Sequence, residues 1–264
     1  MITSRDNPLL QRARAVREGK IDELMFIEGL RLCEEALISG LTIEAVIYSE
    51  EIAQKRRARK FLSALAEVAG RMVSVSEKLL TTISYTKTPQ GIVVLASRPP
   101  KDSKVLVAAA RPELLVVMHS INNPVNVGAI VRTAEAAGAT GAIATAKTSD
   151  PFSPKALRGA MGSAFRLPIW FKPGFEEMLH WCQQRDIRTI CADANGTIDF
   201  TKMDWKQPSA LILGPESEGF SDEELQAADQ TVAIPMEGKV ESLNVAVTAG
   251  VLLFEAMKQR HAAS

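Results

Sequence analysis

The second half of the sequence alternates short apolar runs with segments of helical pattern, and this alternation most limits the possible folds. The runs are LLVVM (114–118), GAIAT (141–145), IRTICA (187–192), ALILG (210–214) and QTVAIP (230–235). Strands that are apolar almost throughout are typical of a parallel sheet covered by helices on both faces. A Ser-x-x-Glu capping box, Ser221 with Glu224, predicts a helix start. We therefore predict an α/β fold with a mostly parallel C-terminal sheet.

The first half of the sequence predicts a smaller α/β domain over residues 1–98. Its helical patterns are FIEGLRLCEEALISG (26–40) and the segment from Ser49 to Gly70, and its strand patterns are IEAVIYS (43–49) and GIVVLA (91–96). Adjacent prolines, Pro99 and Pro100, disfavour helix and open a predicted linker over residues 99–105. The second predicted domain comprises residues 106–264.

Composition limits the classes of protein to which this chain can belong. Hydrophobic residues make up 46% and charged residues 23%, which is typical of globular proteins. No apolar run reaches the roughly 18 residues of a membrane helix, and the N-terminus lacks the apolar region of a secretory signal. The three cysteines and three histidines show no metal-ligand spacing. We expect a cytoplasmic protein with no membrane segment and no metal.

Charge is unevenly distributed along the chain. The formal net charge is zero, but residues 1–104 carry +4 and residues 105–264 carry −4. This asymmetry indicates that the first half contacts a polyanion. Two basic runs there, QRARAVR (11–17) and KRRARK (55–60), are candidate contacts for RNA phosphates, although each also fits an ordinary solvated helix face.

The usual nucleotide-binding loops are absent from the sequence. No two of the sixteen glycines are separated by a single residue, so no G-x-G motif exists. This excludes the common dinucleotide fingerprint. The segment GPESEG (214–219) has the glycine spacing of a phosphate-binding loop but not its lysine and hydroxyl. A ligand at this sheet must therefore be held by other loops.

Three polar loops follow predicted strands and contain the best candidates for a site. The first segment, 122–138, carries Asn126 and, nearly two turns along its predicted helix, Arg132. The second, 211–224, carries Glu216, and the third, 234–244, carries Ser242 and Asn244. Taken singly, each fits a bland role; Asn126, for example, is predicted to cap its helix. Open α/β sheets build their sites at the carboxyl ends of strands. Together, the three loops therefore favour one shared ligand site.

The same loops resemble the three motifs of the SpoU, or TrmH-like, RNA ribose 2′-O-methyltransferases. The matching segments are NPVNVGAIVRTAEAAG, LILGPESEGFS and IPMEGKVESLNVAVTAGVLLFEA, and the resemblance covers residues 105–260. The chain departs from the family pattern at Asn123, where Asp-Pro is usual, and at Pro215. The N-terminal segment resembles the small RNA-binding domain, with a fold like ribosomal protein L30e, that precedes this catalytic domain in relatives.

The resemblance implies a SPOUT-type fold with a trefoil knot, S-adenosyl-L-methionine as methyl donor, an RNA substrate and a homodimer. It also implies two groups of site residues. The catalytic positions are Arg132, Asn126, Glu216, Ser242 and Asn244, and the cofactor-binding positions are Thr145, Gly214, Gly219, Ile234 and Leu243.

The role of Arg132 has two interpretations. The usual family proposal makes this arginine the proton acceptor for the ribose 2′-OH. A guanidinium keeps its proton to about pH 12, so stabilisation of the developing alkoxide, with a grip on the adjacent phosphate, is the alternative. The expected substrate is 23S-type ribosomal RNA. The other hypotheses are a transfer RNA substrate, methylation of a base nitrogen, and an RNA-binding protein with an inactive methyltransferase domain.

Overall fold

The computed structural model describes residues 2–106, 113–215 and 217–262. The helices are α1 (Pro8–Arg17), α2 (Leu30–Ile38), α3 (Glu50–Gln54), α4 (Arg56–Val68), α5 (Glu77–Ile83), α6 (Pro124–Ala136), α7 (Pro154–Ala160), α8 (Ser163–Arg166), α9 (Phe175–Gln183), α10 (Asp222–Ala227) and α11 (Val245–His261). The strands are β1 (Leu24–Glu28), β2 (Ile43–Ser49), β3 (Arg71–Val75), β4 (Ile92–Ser97), β5 (Leu114–Met118), β6 (Gly141–Ala144), β7 (Ile169–Phe171), β8 (Arg188–Ala192), β9 (Ile198–Asp199), β10 (Ser209–Leu213) and β11 (Gln230–Ala233).

The chain divides into two compact units, and the first contains the residues up to Pro99 together with Phe152–Arg166. Its sheet has the order β1-β4-β2-β3, in which β4 runs antiparallel to both neighbours and β3 pairs parallel to β2. Side chains of α1 and α5, such as Leu10 and Leu80, pack with Phe26 and Ile47 of the sheet in one core. Burial of these apolar side chains stabilises the unit.

Two element boundaries in the first unit differ from the sequence prediction. The helix predicted over residues 26–40 begins only at Leu30, because Leu24–Glu28 forms a fully buried strand. The single helix predicted from Ser49 to Gly70 is divided into α3 and α4, because Lys55 adopts an extended conformation with φ −74° and ψ 128°. The amino-acid pattern did not predict this break in the helix, because the residues on both sides of Lys55 favour helix.

The segment Phe152–Arg166 belongs to the first unit although it lies in the second half of the chain. Arg166 donates to Glu35 at 2.6 Å, and the guanidinium of Arg98 lies 5.8 Å from the ring centroid of Phe152. The predicted domain boundaries, at residues 98 and 106, stay a prediction. They assign the segment Phe152–Arg166 to the second domain, whereas its contacts place it in the first unit.

The second unit contains Pro100–Pro151 and the chain from Leu167 onward. Its seven strands have the order β7-β6-β5-β10-β8-β11-β9, and every pair in this order is parallel. The predicted parallel sheet is therefore confirmed. From β5 the chain adds β6 and β7 on one side of the sheet, and the later strands β8 to β11 all lie on the other side. The β5–β10 pair is therefore the switch point of the sheet. The implied trefoil knot stays a prediction. Within the described residues, no helix has the length and apolar character required to cross a membrane.

Candidate active site

A cavity of about 570 Å³ opens at the carboxyl ends of three neighbouring strands, β8, β10 and β11. Its walls come from these strand ends and from the turn before α11. The lining residues are 192–194, 213–215, 217–220, 232, 234, 236, 241–245, 248 and 252. Both the position and the volume are typical of small-molecule sites in open α/β sheets.

Gly214 shapes the wall of this cavity that follows β10. A Cβ atom at this position would lie 2.6 Å from Cε2 of Phe220 and 2.7 Å from Cζ, far inside van der Waals contact. The absence of a side chain therefore allows the Phe220 ring to lie against the strand end. Phe220 itself lines the cavity, and its ring is parallel to that of His119, with centroids 6.2 Å apart.

His119 connects three loops behind this wall. Its ring is buried, and Nε2 lies 2.8 Å from Oε1 of Glu224 while Nδ1 lies 3.1 Å from the Thr145 hydroxyl. The Phe175 ring packs on it with centroids 4.4 Å apart. The second oxygen of Glu224 accepts from the Ser221 amide at 2.9 Å, which confirms the predicted capping box. The ends of β5 and β6 are thereby joined to the start of α10.

The start of α6 corrects one prediction. Asn123 caps this helix, because its side-chain oxygen accepts from the Val125 amide at 3.0 Å and Pro124 fills the first helical position without needing a hydrogen-bond acceptor. The prediction that Asn126 caps the helix is therefore wrong. Asn126 lies in the first turn of α6 and is buried.

A hydrogen bond joins the first and third loops. The side-chain amide of Asn244 donates to the Asn126 side-chain oxygen at 3.4 Å. The oxygen of Asn244 also accepts from the Ala246 amide at 3.0 Å and caps α11. Helix capping and site formation are thus combined in one residue. Asn244 and the exposed Ser242 both line the cavity.

Arg132 lies on α6 outside the cavity lining, with its side chain exposed. In the part of the chain that the structure describes, no carboxylate forms a salt bridge with it. The guanidinium therefore keeps its donors available for an incoming anion. Glu216 lies outside the described residues, and its neighbours in sequence, Pro215 and Ser217, line the cavity.

The cavity lining is acidic. It includes Asp193, Glu218 and Glu241, and no described lining residue is lysine, arginine or histidine. Burial, followed by the charges of Glu224 and Asp193, raises the pKa of the nearby Cys191 to about 12. This thiol stays protonated at neutral pH and is a poor nucleophile. Over the described ranges there is no group of three or more side chains able to hold a metal ion.

Two family models match the sequence, one in each half. Residues 113–254 match the SpoU rRNA Methylase family, and residues 9–94 match the MRM3-like substrate binding domain. The first match alone covers more than half of the chain. The chain belongs to the SpoU rRNA methylase family.

Relatives of this SpoU chain are similar over most of their length. The 23S rRNA (guanosine-2′-O-)-methyltransferase RlmB of Ralstonia nicotianae is 37% identical over 218 residues, covering 81% of this chain and 87% of the relative. The 23S rRNA (uridine(2479)-2′-O)-methyltransferase of Streptomyces viridochromogenes is 29% identical over 254 residues, covering 94% and 86%. The crystal structure of the SpoU methyltransferase AviRb from Streptomyces viridochromogenes, in complex with AdoMet, superposes with a TM-score of 0.88 at 27% identity, covering 97% of this chain and 98% of that chain.

The structure brings most of the expected SpoU site residues together. Six of them line the cavity: Gly214, Gly219, Ile234, Ser242, Leu243 and Asn244. Asn126 reaches the site through its hydrogen bond to Asn244. Thr145 does not line the cavity; it lies behind the wall, buried against His119.

Sequence reasoning missed three residues of the cavity and of the wall behind it. Asp193 follows β8, so the rule that sites form at strand ends could have indicated it. Phe220 and His119 carried no local signal, because their roles depend on packing between segments that lie 101 residues apart in sequence, from His119 to Phe220. Such contacts cannot be inferred from spacing along one chain.

Proposed function

We propose that this protein is an S-adenosylmethionine-dependent RNA methyltransferase that modifies a ribose 2′-OH in 23S-type ribosomal RNA. One observation carries the proposal. The loops after β10 and β11 form one cavity, and the loop after β5 is joined to its wall by the hydrogen bond between Asn126 and Asn244. Membership of the SpoU family and the AdoMet complex of AviRb support the proposed methyl donor.

The residues of the cavity fit S-adenosylmethionine. The described lining has three carboxylates and no cationic side chain, which favours a ligand with sulfonium and ammonium charges and disfavours a phosphorylated nucleotide. Apolar side chains of Phe220, Ile234 and Leu243, which line the cavity and are only partly buried, provide a surface for the adenine ring. When bound, the cofactor supplies the methyl group from its sulfonium.

Backbone groups at the strand ends would hold the adenosyl end of the cofactor. In the proposal these are Gly214, Gly219, Ile234 and Leu243, all of which line the cavity. A Cβ at Gly219 would meet no atom within 4 Å, so the backbone there is open to a ligand. Thr145 acts indirectly in this proposal, through the ring of His119 that it orients.

The side chains of the first and third loops would position the ribose. A ribose hydroxyl is a weak nucleophile until its developing negative charge is stabilised. Arg132 is proposed to supply that stabilisation and to bind the adjacent phosphate, since it keeps its proton and has no carboxylate partner in the described parts of the chain. Asn126, Ser242 and Asn244 would orient the hydroxyl, and Glu216 would assist them.

The choice of ribosomal RNA rests on the relatives and on the first unit. Two relatives that align with more than 80% of this chain are named as 23S rRNA methyltransferases, one for guanosine and one for uridine. The match to a substrate-binding domain over residues 9–94 supports RNA recognition by the first unit. Such a substrate implies a cytoplasmic location for the activity.

We also propose that the protein acts as a homodimer. Exposed apolar side chains lie on α6 and α11: Val125 is 44% exposed, Val247 52% and Phe254 44%. Val247 and Phe254 are two helical turns apart and share one face of α11. Isolated apolar side chains are common on surfaces, but a shared face at this level of exposure favours burial against a second copy. Sedimentation analysis should give twice the chain mass, and a monomer at micromolar concentration would contradict this part of the proposal.

The proposed activity is tested by mapping 2′-O-methyl marks on total RNA from strains with and without the gene. We expect one mark in 23S ribosomal RNA to disappear and to return on complementation. Calorimetry with S-adenosylmethionine separates an active enzyme from an RNA-binding protein with an inactive domain. Loss of a mark in transfer RNA alone would replace the substrate, and a protein that binds no S-adenosylmethionine would end the proposal.

A further inference from the structure

The structure distinguishes between the two basic runs of the first unit. In α1, Arg12 forms a bidentate pair with Glu44, with distances of 2.6 and 2.8 Å, and this hydrogen bond lowers the pKa of Glu44. Arg14 and Arg17 donate to backbone carbonyls at 2.8 and 3.0 Å. Each of the three arginines of α1 therefore makes at least two hydrogen bonds within the unit.

The basic residues of α4 are differently placed. This helix buries Ala58, Phe61, Leu62 and Leu65 on one face. At 100° per residue, Arg56, Arg59 and Lys60 lie within an arc of about 100° on the opposite face, and all three are exposed. The exposed Lys55 immediately precedes them. We refer to Lys55, Arg56, Arg59 and Lys60 as the α4 basic face.

The α4 basic face makes some polar contacts: Arg59 Nε donates to the Ala53 carbonyl at 3.5 Å, and Lys55 lines the same small cavity as Glu51 and Glu77. Within the described residues, none of its four side chains forms a salt bridge with a carboxylate, whereas the adjacent Arg57 pairs with Glu34 at 2.6 Å. Glu50 and Glu51 lie in the first turn of α3, where negative charge favours the helix N-terminus. Three cations on one arc of α4, with Lys55 immediately before the helix, create a positive local potential.

We propose that the α4 basic face binds the phosphate backbone of the RNA substrate, and that α1 does not. This inference rests on the proposed function, because that function names an RNA as the partner. Charge complementarity selects the occupant: long, flexible cations without aromatic or apolar neighbours on the same arc suit a polyanionic backbone, which positions an RNA without reading its bases. An acidic protein partner would instead be expected to bury apolar side chains at the centre of its interface.

The test compares two double variants of the full-length protein that each remove two positive charges from the first unit. Arg56→Gln with Lys60→Gln alters the α4 basic face, and glutamine keeps the helix propensity. Arg12→Gln with Lys20→Gln is the matched control, since both residues are partnered by carboxylates. Binding of an in vitro transcript of bacterial 23S ribosomal RNA is measured by filter binding between about 50 and 300 mM KCl.

For the α4 variant we expect the slope of log affinity against log salt to become shallower by about 1.5, because each phosphate contact contributes about 0.7 to 0.9. The control should keep the wild-type slope, and both variants should bind S-adenosylmethionine as the wild type does. Equal slopes for both variants, or a change in the control alone, would overturn the assignment of α4. If the wild-type protein binds the transcript but transfers no methyl group, the proposed function is contradicted. The inference about α4 is then still decided by comparing the salt slopes of the two variants.

Discussion

Substitution of Gly214 by alanine tests whether the wall behind the cavity is as tightly packed as the structure indicates. The new Cβ would lie 2.6 Å from Cε2 of Phe220, so the ring must move by roughly 0.8 Å to restore an ordinary contact of 3.4 Å. His119 lies on one side of the ring and the cavity on another, so the ring is expected to move toward the cavity that it lines. The ring lies parallel to His119, which is itself held by Glu224 at 2.8 Å.

The expected magnitude follows from this confinement. Overpacking of a confined site costs about 1 to 3 kcal/mol of stability. For a unit of this size the melting temperature should fall by about 2 to 10 °C. Because Phe220 lines the cavity, its displacement also reshapes the ligand site. A loss of about 1.4 kcal/mol in binding would weaken S-adenosylmethionine affinity about tenfold.

Calorimetry with S-adenosylmethionine and thermal unfolding measure both effects. Phe220→Leu in the Gly214→Ala background should recover part of the loss, because a smaller side chain makes room for the new Cβ, giving a favourable coupling energy of about 0.5 kcal/mol or more. Gly174→Ala is the control: its Cβ would meet nothing closer than 4.0 Å, and the residue does not line the cavity. Wild-type affinity in Gly214→Ala, or strictly additive effects in the double variant, would refute the reasoning.

Three further predictions concern the other parts of the second unit. Arg132→Lys keeps the charge but loses the planar fork, so methylation in a single-turnover assay should fall at least tenfold while the melting temperature stays unchanged; near-normal activity would rule out a role for the fork. Asn244→Ala removes the cap of α11 and the link to Asn126, and should cost about 1 kcal/mol in denaturant unfolding together with a loss of activity; an unaltered unfolding midpoint would argue against the cap. Burial raises the pKa of Cys182 and Cys191 to about 12, so a thiol reagent at pH 8 should label neither thiol until the protein unfolds, and rapid labelling of the folded protein would contradict the burial. The same raised pKa values make the free energy of unfolding fall as the pH rises above about 9.

The sequence was most informative where structure depends on neighbouring residues. Near-continuous apolar runs predicted the parallel sheet, and the position of polar loops after those runs predicted which residues would meet, because parallel strands end at one edge. The same reasoning gave wrong results at Asn126 and Lys55. At the start of α6 the cap is Asn123, three residues before Asn126, with Pro124 at the first helical position. At Lys55 the backbone is extended between two segments that each form a helix.

Glu224 shows why the remaining part of the site was not predictable. The spacing of Ser221 and Glu224 predicts a capping box, and one carboxylate oxygen has that local role. The other oxygen binds His119, which is 105 residues away in sequence. No pattern in the chain indicates that second contact, because it depends on β5 and β10 lying side by side in the sheet. Local motifs therefore identify one partner of a side chain, and topology determines the other.

The charges of the two units support different steps of the proposed reaction. The carboxylates of Asp193, Glu218 and Glu241 favour a cationic methyl donor, but they also repel the phosphates of an RNA. At physiological salt such repulsion is screened over about 8 Å, so it acts mainly on the nucleotides that enter the cavity. In the proposal, affinity for RNA would come from cations outside the lining, namely Arg132 and the α4 basic face. An enzyme built in this way would bind its RNA in a strongly salt-dependent manner, and its methyl donor, which carries far fewer charges, with a weaker dependence on salt.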